Sequence, residues 1–463
     1  MHHGDRLSDF EALLWTLERD PQLASGFANI TLLDRPADLE RMRMRMARAA
    51  AVIPQLRRRI FADPGRLAPP RWVDDPDFDV DRHVRVLHLD PLGGDADALI
   101  DEVLIVAAMD FCRRPWDPDH PLWEFLLVDG LADGSGAMLQ RFHHTIADGV
   151  GMVRMSEQFI DLERDPPEPD PIPMPEPEPL PSLVGASKDA LGHTFGRTIE
   201  SIQHGIAATG ELIGTPSHLR EGARRGIDVA RALMAEVGAM GSRRSPLWTA
   251  RSAHDHTLRL LRVPFDDVRR FAKERGVTVN DVFVAGATGG AGAYHRMVHS
   301  PVDELRMAMP VNTRSDRSVG GNAFGMARLL VPTGEDPAKR LAATHELLAG
   351  ARATAGVSFI QNLAGVANVV PAGMLVRFAR TQVASVDFTT SNVRGAPFPV
   401  FLGGARVESN HPIGPLTGTA FNLTMLSYDG SLDMGLHIDR VAIEAPDLLA
   451  QCIRLAFREL LES

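Results

Sequence analysis

The sequence is poor in cysteine and has no long apolar run. Its 463 residues include two cysteines, Cys112 and Cys452, which lie far apart along the chain. Two thiols cannot build a disulfide framework or a four-ligand zinc site, so a reducing compartment is favoured. The best apolar stretch, 363–379, is interrupted by an asparagine, a proline and an arginine. A transmembrane helix, which needs about 18 or more uninterrupted apolar residues, is therefore not expected.

Excess positive charge is also missing. The formal net charge is −11, and nucleic-acid binding is not expected because phosphate contacts need a basic face. Residues 1–6 lack the apolar core of a secretory signal peptide, which favours the cytoplasm. Hydrophobic residues make up 44% and charged residues 24%, the usual balance of a globular protein with a sizeable core.

A proline-rich stretch divides the chain. Residues 163–182 read ERDPPEPDPIPMPEPEPLPS, a composition typical of an extended, polyproline-like linker. We therefore predict an N-terminal lobe over 1–162, a crossover linker over 163–185 and a C-terminal lobe over 186–463. The Ala- and Gly-rich residues 185–241 have helical periodicity, and their apolar face is interpreted either as core-facing or as a lipid-surface contact.

Periodicity predicts mixed α/β structure. Strands are not regularly followed by helices, which favours mixed sheets in two α/β lobes. Strands are predicted at 27–34, 123–128, 137–144, 258–263, 305–310, 328–332, 386–391, 421–428 and 432–439, and helices at 39–51, 152–162, 265–275, 279–297, 337–352 and 446–461.

The most informative motif is RFHHTIADGVG at 141–151. His143 and His144 follow a predicted strand, and Asp148-Gly149 comes four residues after the second histidine. Imidazole titrates near neutrality, so a positioned histidine can take a proton from an alcohol. Two alternatives remain: a pair of structural histidines, and a metal site, for which no third ligand lies nearby.

The motif resembles the HHxxxDG signature of the bacterial wax ester synthase/diacylglycerol acyltransferase family, part of the larger group of CoA-dependent acyltransferases and condensation domains. Other segments resemble further blocks of that family. They are PLWEFLLVDG at 121–130, TVND at 278–281, MPVNTR at 309–314 with Gly321-Asn322, TSNVRG at 390–395 and GGARV at 403–407. The resemblance runs from Leu7 to the C-terminus and implies a two-lobed CoA-dependent acyltransferase-like fold with mixed sheets and a central channel.

The resemblance also implies roles for the motif residues. His144 takes the place of the general base, His143 shapes the pocket or positions the acceptor, and Asp148 organises the site. Candidates for substrate or oxyanion contacts are Gly149, Asn280, Ser391 and Asn392. Asn280 is alternatively a helix N-cap, and the pair at 391–392 are alternatively turn residues before a glycine.

The expected reaction is acyl transfer from acyl-CoA to diacylglycerol, giving triacylglycerol. Acyl-CoA is a co-substrate, and no cofactor or metal is expected. The alternatives are wax ester synthesis on long-chain alcohols, a condensation-type acyltransferase with a carrier-bound donor, and a non-catalytic lipid- or partner-binding protein. A lipid acceptor implies a peripheral place at the inner membrane face or on lipid droplets. Glu11, Arg394 and Ala396 depart from the family pattern and leave acceptor specificity open.

Two further features are interpreted as packing. Trp123 is expected in the core beneath the site. The glycines at 286, 289, 290 and 292 have the wrong spacing for a nucleotide-binding loop, so close helix packing is predicted. The absence of a Gly-x-Ser-x-Gly segment argues against a hydrolase-type serine nucleophile.

Overall fold

The computed structural model describes residues 6–62, 68–89, 96–147, 149–180, 245–312, 324–354 and 372–463. The helices are α1 (Asp9–Leu17), α2 (Leu39–Val52), α3 (Val80–His83), α4 (Ala96–Arg113), α5 (Gly149–Ser156), α6 (Phe265–Arg275), α7 (Val279–Met297), α8 (Pro337–Thr354), α9 (Ala372–Val383) and α10 (Pro446–Glu462). The strands are β1 (Phe27–Leu33), β2 (Arg58–Phe61), β3 (Arg71–Asp74), β4 (Val84–His88), β5 (Trp123–Asp129), β6 (Gly136–Phe142), β7 (His256–Pro264), β8 (Glu304–Asn312), β9 (Phe324–Pro332), β10 (Phe388–Arg394), β11 (Phe401–Leu402), β12 (Ala405–Ile413), β13 (Phe421–Tyr428) and β14 (Ser431–Asp439).

Two six-stranded sheets form the framework. The first has the order β11-β12-β1-β6-β5-β4, and the second has the order β7-β14-β13-β10-β8-β9. In the first sheet β4 and β5 are parallel and the other pairs antiparallel. In the second, β10 runs parallel to both β8 and β13, while the remaining pairs are antiparallel. The predicted mixed sheets are therefore confirmed.

The first sheet takes two of its strands from the C-terminal part of the chain. β12 pairs with β1 from Ala28 opposite Ile413 to Leu33 opposite Val407, and β11 lies outside β12. The Tyr428 hydroxyl of β13 accepts from the amide of Val400 and donates to the carbonyl of Val407, both at 3.0 Å. The predicted lobe over 186–463 thus does not stay within one sheet, because residues 401–413 complete the other.

The proline-rich segment crosses the surface without helix or strand over its described residues, 163–180. It is held at both ends of this range. Arg164 pairs with Asp34 at 2.5 Å, and the amide of Glu178 donates to the carboxylate of Asp74 at 2.9 Å. The helical prediction for 185–241 lies outside the described residues.

The glycines of α7 let neighbouring helices approach closely. A Cβ on Gly286 would lie 2.6 Å from the Phe457 ring, and a Cβ on Gly290 would lie 2.5 Å from Cα of Ile453. Both partners belong to α10, which packs along α7. The packing interpretation is therefore confirmed, since real Cβ atoms do not approach so near.

Most predicted elements are present with ends shifted by a few residues, and α6 and α7 match their predicted bounds. The helix predicted at 152–162 is present, but its predicted bounds are wrong. The helix runs from Gly149 to Ser156, after which a turn leads to a bridge between Asp161 and Phe401. Asp161 pairs with Arg41 and Arg45 of α2, so tertiary ion pairing takes over where the apolar periodicity alone suggested more helix.

Candidate active site

The two histidines of the motif lie directly after β6. The amide of His143 donates to the carbonyl of Leu122 at 3.0 Å, and the amide of Ile146 donates to the carbonyl of His143 at 3.0 Å. The chain therefore leaves the sheet in a tight turn. Within that turn His143 is fully buried, whereas His144 is half-buried in the wall of a cavity.

His143 is held by hydrogen bonds at both ring nitrogens. The amide of Thr145 donates to Nδ1 at 3.2 Å, and Nε2 lies 3.1 Å from the Glu18 carboxylate. Because a backbone N–H can only donate, Nδ1 is the acceptor and Nε2 carries the proton that Glu18 accepts. The rings of Trp15 and Trp116 contact the imidazole edge-on, with centroids at 5.8 and 6.3 Å. This arrangement makes His143 a fixed element of the wall.

Glu18 follows the C-terminus of α1, and that helix is positioned by a capping box. The Ser8 hydroxyl accepts from the amide of Glu11 at 3.2 Å, and the Glu11 carboxylate accepts from the amide of Ser8 at 2.8 Å. Burial raises the pKa of Glu18, but hydrogen bonds from His143 and Ser25 outweigh it, so the pKa lies below its ordinary value. Glu18 is therefore a partly buried carboxylate, 18% exposed, that stays ionised.

His144 is held in its neutral form. Burial, followed by the neighbouring His143, lowers the pKa of His144 to about 4, against the opposing effects of the Ala147 backbone and the Glu18 carboxylate. The Phe27 ring lies with its centroid 4.6 Å from that of the imidazole. At neutral pH the ring is unprotonated and able to accept a proton.

The cavity lies between the two sheets and has a volume of about 470 Å³. Its walls come from both halves of the chain: α1, β1, β6 and α5 on one side, and β8, β9, α9, β10 and β13 on the other, with β12 between them. Apolar side chains such as Leu13, Leu17, Met152, Val383 and Leu426 are part of this lining. The space suits an apolar chain alongside a few polar groups.

Ser391 and Asn392 line the same cavity as His144. They lie within β10, opposite Thr424 and Met425 of β13, so the alternative that they are turn residues is wrong. Nδ2 of Asn392 donates to Oδ1 of Asn280 at 3.2 Å. The structure therefore brings these three polar residues together beside the cavity.

Asn280 is not the N-cap of α7. Thr278 caps the helix, with its hydroxyl accepting from the amide of Asp281 at 3.1 Å and the Asp281 carboxylate accepting from the amide of Thr278 at 2.9 Å. The N-cap alternative for Asn280 is therefore wrong. The Asn280 side chain instead bonds Asn392 at the cavity.

The structure describes only part of the rest of the histidine motif. Asp148 lies outside the described residues, so its predicted organising role stays a prediction. Gly149 begins α5, and Met152 one turn later lines the cavity. Trp123 is fully buried, donates to the carbonyl of Leu56 at 2.8 Å and stacks on His83, which confirms its core position.

Sequence reasoning missed Glu18 and Gln382. Glu18 precedes its partner by 125 residues, and Gln382 reaches the cavity from a helix that was not predicted. Neither residue belongs to a quoted motif. A capping pattern at Ser8 and Glu11 was available as a signal for α1, but it does not indicate where the helix packs.

Other chemistries find little support among the described residues. No group of three or more His, Cys, Asp or Glu side chains there has the geometry to hold a metal ion. Both cysteines are unbridged, and burial raises the pKa of the Cys112 thiol to about 12. Within the same ranges, no helix combines the length and apolar character needed to cross a bilayer.

Solved structures define the class of this fold. A wax ester synthase/diacylglycerol acyltransferase from Marinobacter aquaeolei VT8 is similar with a TM-score of 0.65 and 19% identity, over 98% of this chain and 98% of that one. The first condensation domain of the CDA synthetase gives 0.57 at 18% identity, over 99% and 95%. A starter condensation domain of rhizomide synthetase, solved with C8-CoA and Leu-SNAC, gives 0.55 at 12% identity, over 99% and 94%. The chain therefore has the two-lobed fold of CoA-dependent acyltransferases and condensation domains.

Sequence comparison identifies the family. Residues 7–283 match the wax ester synthase/diacylglycerol acyltransferase catalytic domain, and residues 320–461 match the WS/DGAT C-terminal domain. A candidate diacylglycerol O-acyltransferase of Mycobacterium tuberculosis strain CDC 1551 is 32% identical over 99% of this chain and 92% of its own length. Another from the same strain is 27% identical over 96% and 92%. The chain belongs to the wax ester synthase/diacylglycerol acyltransferase family and is an acyltransferase.

Proposed function

We propose that this protein transfers a fatty acyl group from acyl-CoA to the free hydroxyl of 1,2-diacylglycerol, giving triacylglycerol, with His144 as the general base. The observation that carries the proposal is a neutral imidazole in the wall of a largely apolar cavity. An alcohol is a weak nucleophile until a base removes its proton, and an uncharged ring is ready to do so.

The reaction proceeds by direct transfer. His144 takes the hydroxyl proton while the oxygen attacks the thioester carbonyl carbon, and a C–O bond forms. The tetrahedral intermediate then collapses, the C–S bond breaks, and His144 returns the proton to the departing CoA thiolate. No covalent acyl-enzyme is needed and no cofactor takes part. Acyl-CoA is the co-substrate.

The developing oxyanion needs hydrogen-bond donors. Ser391 and Asn392 lie in the same cavity wall as the base, and Gly149 offers a backbone amide at the start of α5. Losing one such donor costs on the order of 3 kcal/mol in the transition state. His143 acts as a positioning residue, because its ring contacts Glu18 and two tryptophans. Asp148 keeps its proposed organising role.

The acceptor is a lipid, so the protein must collect it from a membrane or lipid-droplet surface. We propose a cytoplasmic protein that binds such a surface peripherally. Wax ester synthesis is the second candidate function, favoured by the likeness to the Marinobacter structure, whose name covers both activities.

The test is a competition. Purified protein receives labelled palmitoyl-CoA with diacylglycerol and hexadecanol at equal concentration, and the products are separated by thin-layer chromatography. Triacylglycerol as the main product supports the proposal, whereas wax ester as the main product makes the alcohol the preferred acceptor. A parallel reaction with palmitoyl-acyl carrier protein tests the condensation-type alternative.

The base assignment has its own test. His144→Ala should lower kcat by about 10²- to 10⁴-fold, the usual contribution of a general base. His88→Ala is the matched control, since His88 is exposed and pairs with Asp129 outside the cavity. An unchanged rate of ester formation in His144→Ala removes this histidine from the mechanism.

A further inference from the structure

Three side-chain amides line the cavity from one face of the first sheet. They belong to Asn29 on β1, Gln140 on β6 and Asn410 on β12, and these strands are neighbours in the order β12-β1-β6. Asn29 lies directly opposite Gln140 in the strand register, and Nδ2 of Asn29 donates to Oδ1 of Asn410 across the other pair of strands. We call these three side chains the amide strip. It gives a largely apolar cavity one polar wall.

The amide strip keeps hydrogen-bonding groups for a ligand. Because Nδ2 of Asn29 donates to Thr31 at 2.9 Å and to Asn410, the strip retains Oδ1 of Asn29 as an acceptor and Nδ2 of Asn410 as a donor. Gln140 is only 9% exposed, yet its side chain bonds none of the described residues. The fully enclosed polar atoms without partners in this part of the chain belong to other side chains, so the Gln140 amide reaches the cavity surface. An amide this far from bulk water needs a partner, and the cavity is where that partner must lie.

The free groups of the strip match an amide better than an ester. They include both donors and acceptors, since Gln140 alone offers one of each kind. An ester has only acceptors and a hydrocarbon chain has neither, so both leave part of the strip without partners. A secondary amide has an N–H donor and a carbonyl acceptor together. Among the substrates of the proposed reaction, acyl-CoA is the one that carries such groups, with two amides in its pantetheine arm.

The position of Gln140 on β6 selects one of these two amides. Gln140 and Phe142 alternate along the strand and line the cavity, and His144 follows two residues later. At about 3.3 Å per residue, Gln140 and His144 are up to about 13 Å apart. An extended chain advances about 1.2 Å per bond, which places the two amide nitrogens about 5 and about 10 Å from the thioester carbonyl carbon. The ester carbonyls of diacylglycerol lie no more than about 7 Å from its free hydroxyl, so the second amide fits the separation best.

We propose that Gln140 binds the second amide of the pantetheine arm of acyl-CoA, which is the amide farther from the thioester. The strip supplies a donor to its carbonyl oxygen and an acceptor to its N–H, and Asn29 and Asn410 flank the contact. Gln140 is then a specificity-determining residue for the acyl donor, because a shortened thioester leaves the strip without its partner. The inference rests on the proposed function, in which acyl-CoA is the donor.

The test compares acyl donors whose arms differ in length, with diacylglycerol as the acceptor throughout. Palmitoyl-CoA and palmitoyl-pantetheine carry both amides, whereas palmitoyl-N-acetylcysteamine carries only the amide nearer the thioester. Gln140→Met keeps the unbranched shape of the side chain and removes both hydrogen-bonding groups. It should lower kcat/KM for the two donors with the whole arm about tenfold, while changing kcat/KM for the short donor less than about twofold.

The matched control is Gln451→Met, because Gln451 is exposed on α10 and is not part of the cavity lining. Gln140→Leu, with thermal melting of each protein, covers the case in which methionine impairs folding. Acyl carrier protein has the same arm, so palmitoyl-acyl carrier protein is assayed beside palmitoyl-CoA with the wild-type protein. A wild type that uses only the carrier-bound donor overturns the assignment to CoA.

The pattern across donors decides the role of Gln140. A loss confined to the donors with the whole arm supports the inference. Equal losses with all donors overturn it, because the side chain then serves the thioester, the acceptor or the fold, and unchanged rates with every donor overturn it as well. If the wild-type protein makes no triacylglycerol from palmitoyl-CoA, the proposed function fails. If it does and Gln140→Met shows no selective loss, only the role of Gln140 fails.

Discussion

Replacing Glu18 with glutamine isolates the effect of one partly buried negative charge on the candidate base. Oε2 of Glu18 accepts from Nε2 of His143 at 3.1 Å and from the amide of Ser25 at 2.9 Å. Both bonds end on the same oxygen, so a glutamine with its carbonyl oxygen in that place keeps them. The substitution therefore removes the charge and leaves the hydrogen-bond pattern in place.

The size of the expected loss in kcat can be bounded from the hydrogen bonds that Glu18 accepts. A hydrogen bond to a charged acceptor contributes about 1.5–3 kcal/mol and one to a neutral acceptor about 1 kcal/mol, so the loss is on the order of 1 kcal/mol. The carboxylate also raises the pKa of His144, which means that it favours the imidazolium that the proposed mechanism forms during transfer. Removing the charge should lower kcat by at most about tenfold, since 1.36 kcal/mol corresponds to a factor of ten and Glu18 is the smallest of the influences on the pKa of His144. KM for acyl-CoA should change little, because the resting ring is neutral in both proteins.

The assay is initial-rate kinetics with palmitoyl-CoA and diacylglycerol, with thermal melting measured in parallel. Glu274→Gln serves as the control, since Glu274 is an exposed carboxylate on α6. Glu18→Asp should recover part of the lost rate because it restores the charge. If Glu18→Gln lowers the melting temperature and leaves kcat unchanged, the carboxylate is structural and the electrostatic reasoning is wrong.

Two further predictions concern pH and packing. Activity should stay on a plateau from about pH 8 down to about pH 5, because a pKa of about 4 leaves His144 neutral; an acidic midpoint near 6.5 in kcat/KM contradicts this. Gly290→Ala should lower the free energy of unfolding by about 1–3 kcal/mol, since its Cβ meets Ile453 at 2.5 Å. In Gly350→Ala the new Cβ lies in α8 with nothing within 4 Å of it, so this change should raise the free energy of unfolding by up to about 1 kcal/mol. If Gly290→Ala and Gly350→Ala shift the melting temperature equally, the packing argument is wrong.

Several long elements could be predicted from the sequence because one period dominates each of them, whereas the helices α1, α4 and α9 were not predicted. Helix α7 combines a Thr278 cap with an apolar run and was predicted with its observed bounds. The short strands β2, β3 and β4 were missed, since four or five residues carry too little periodicity to stand out. β12 was missed for another reason: its sequence, ARVESNHPI, mixes polar residues and a proline into a strand.

The residues of the candidate site could be predicted from the sequence only where they belong to a local motif. His143 and His144 are adjacent in the sequence, and the imidazole side chain itself indicates acid–base chemistry. Glu18 and Gln382 have their hydrogen-bond partners far away along the chain. No local pattern reports such contacts, because they arise from how the sheets and helices meet.

The strand order of the first sheet bears on how the chain folds during synthesis. β1 needs β12 as its neighbour, yet residues 405–413 are translated almost four hundred residues after Phe27. Until then the nascent N-terminal half has an open backbone edge, which invites pairing with other chains. Contacts between such distant segments slow folding. Both sheets therefore stay incomplete until most of the chain has been synthesised, and the open edge of β1 can meet other chains during that time.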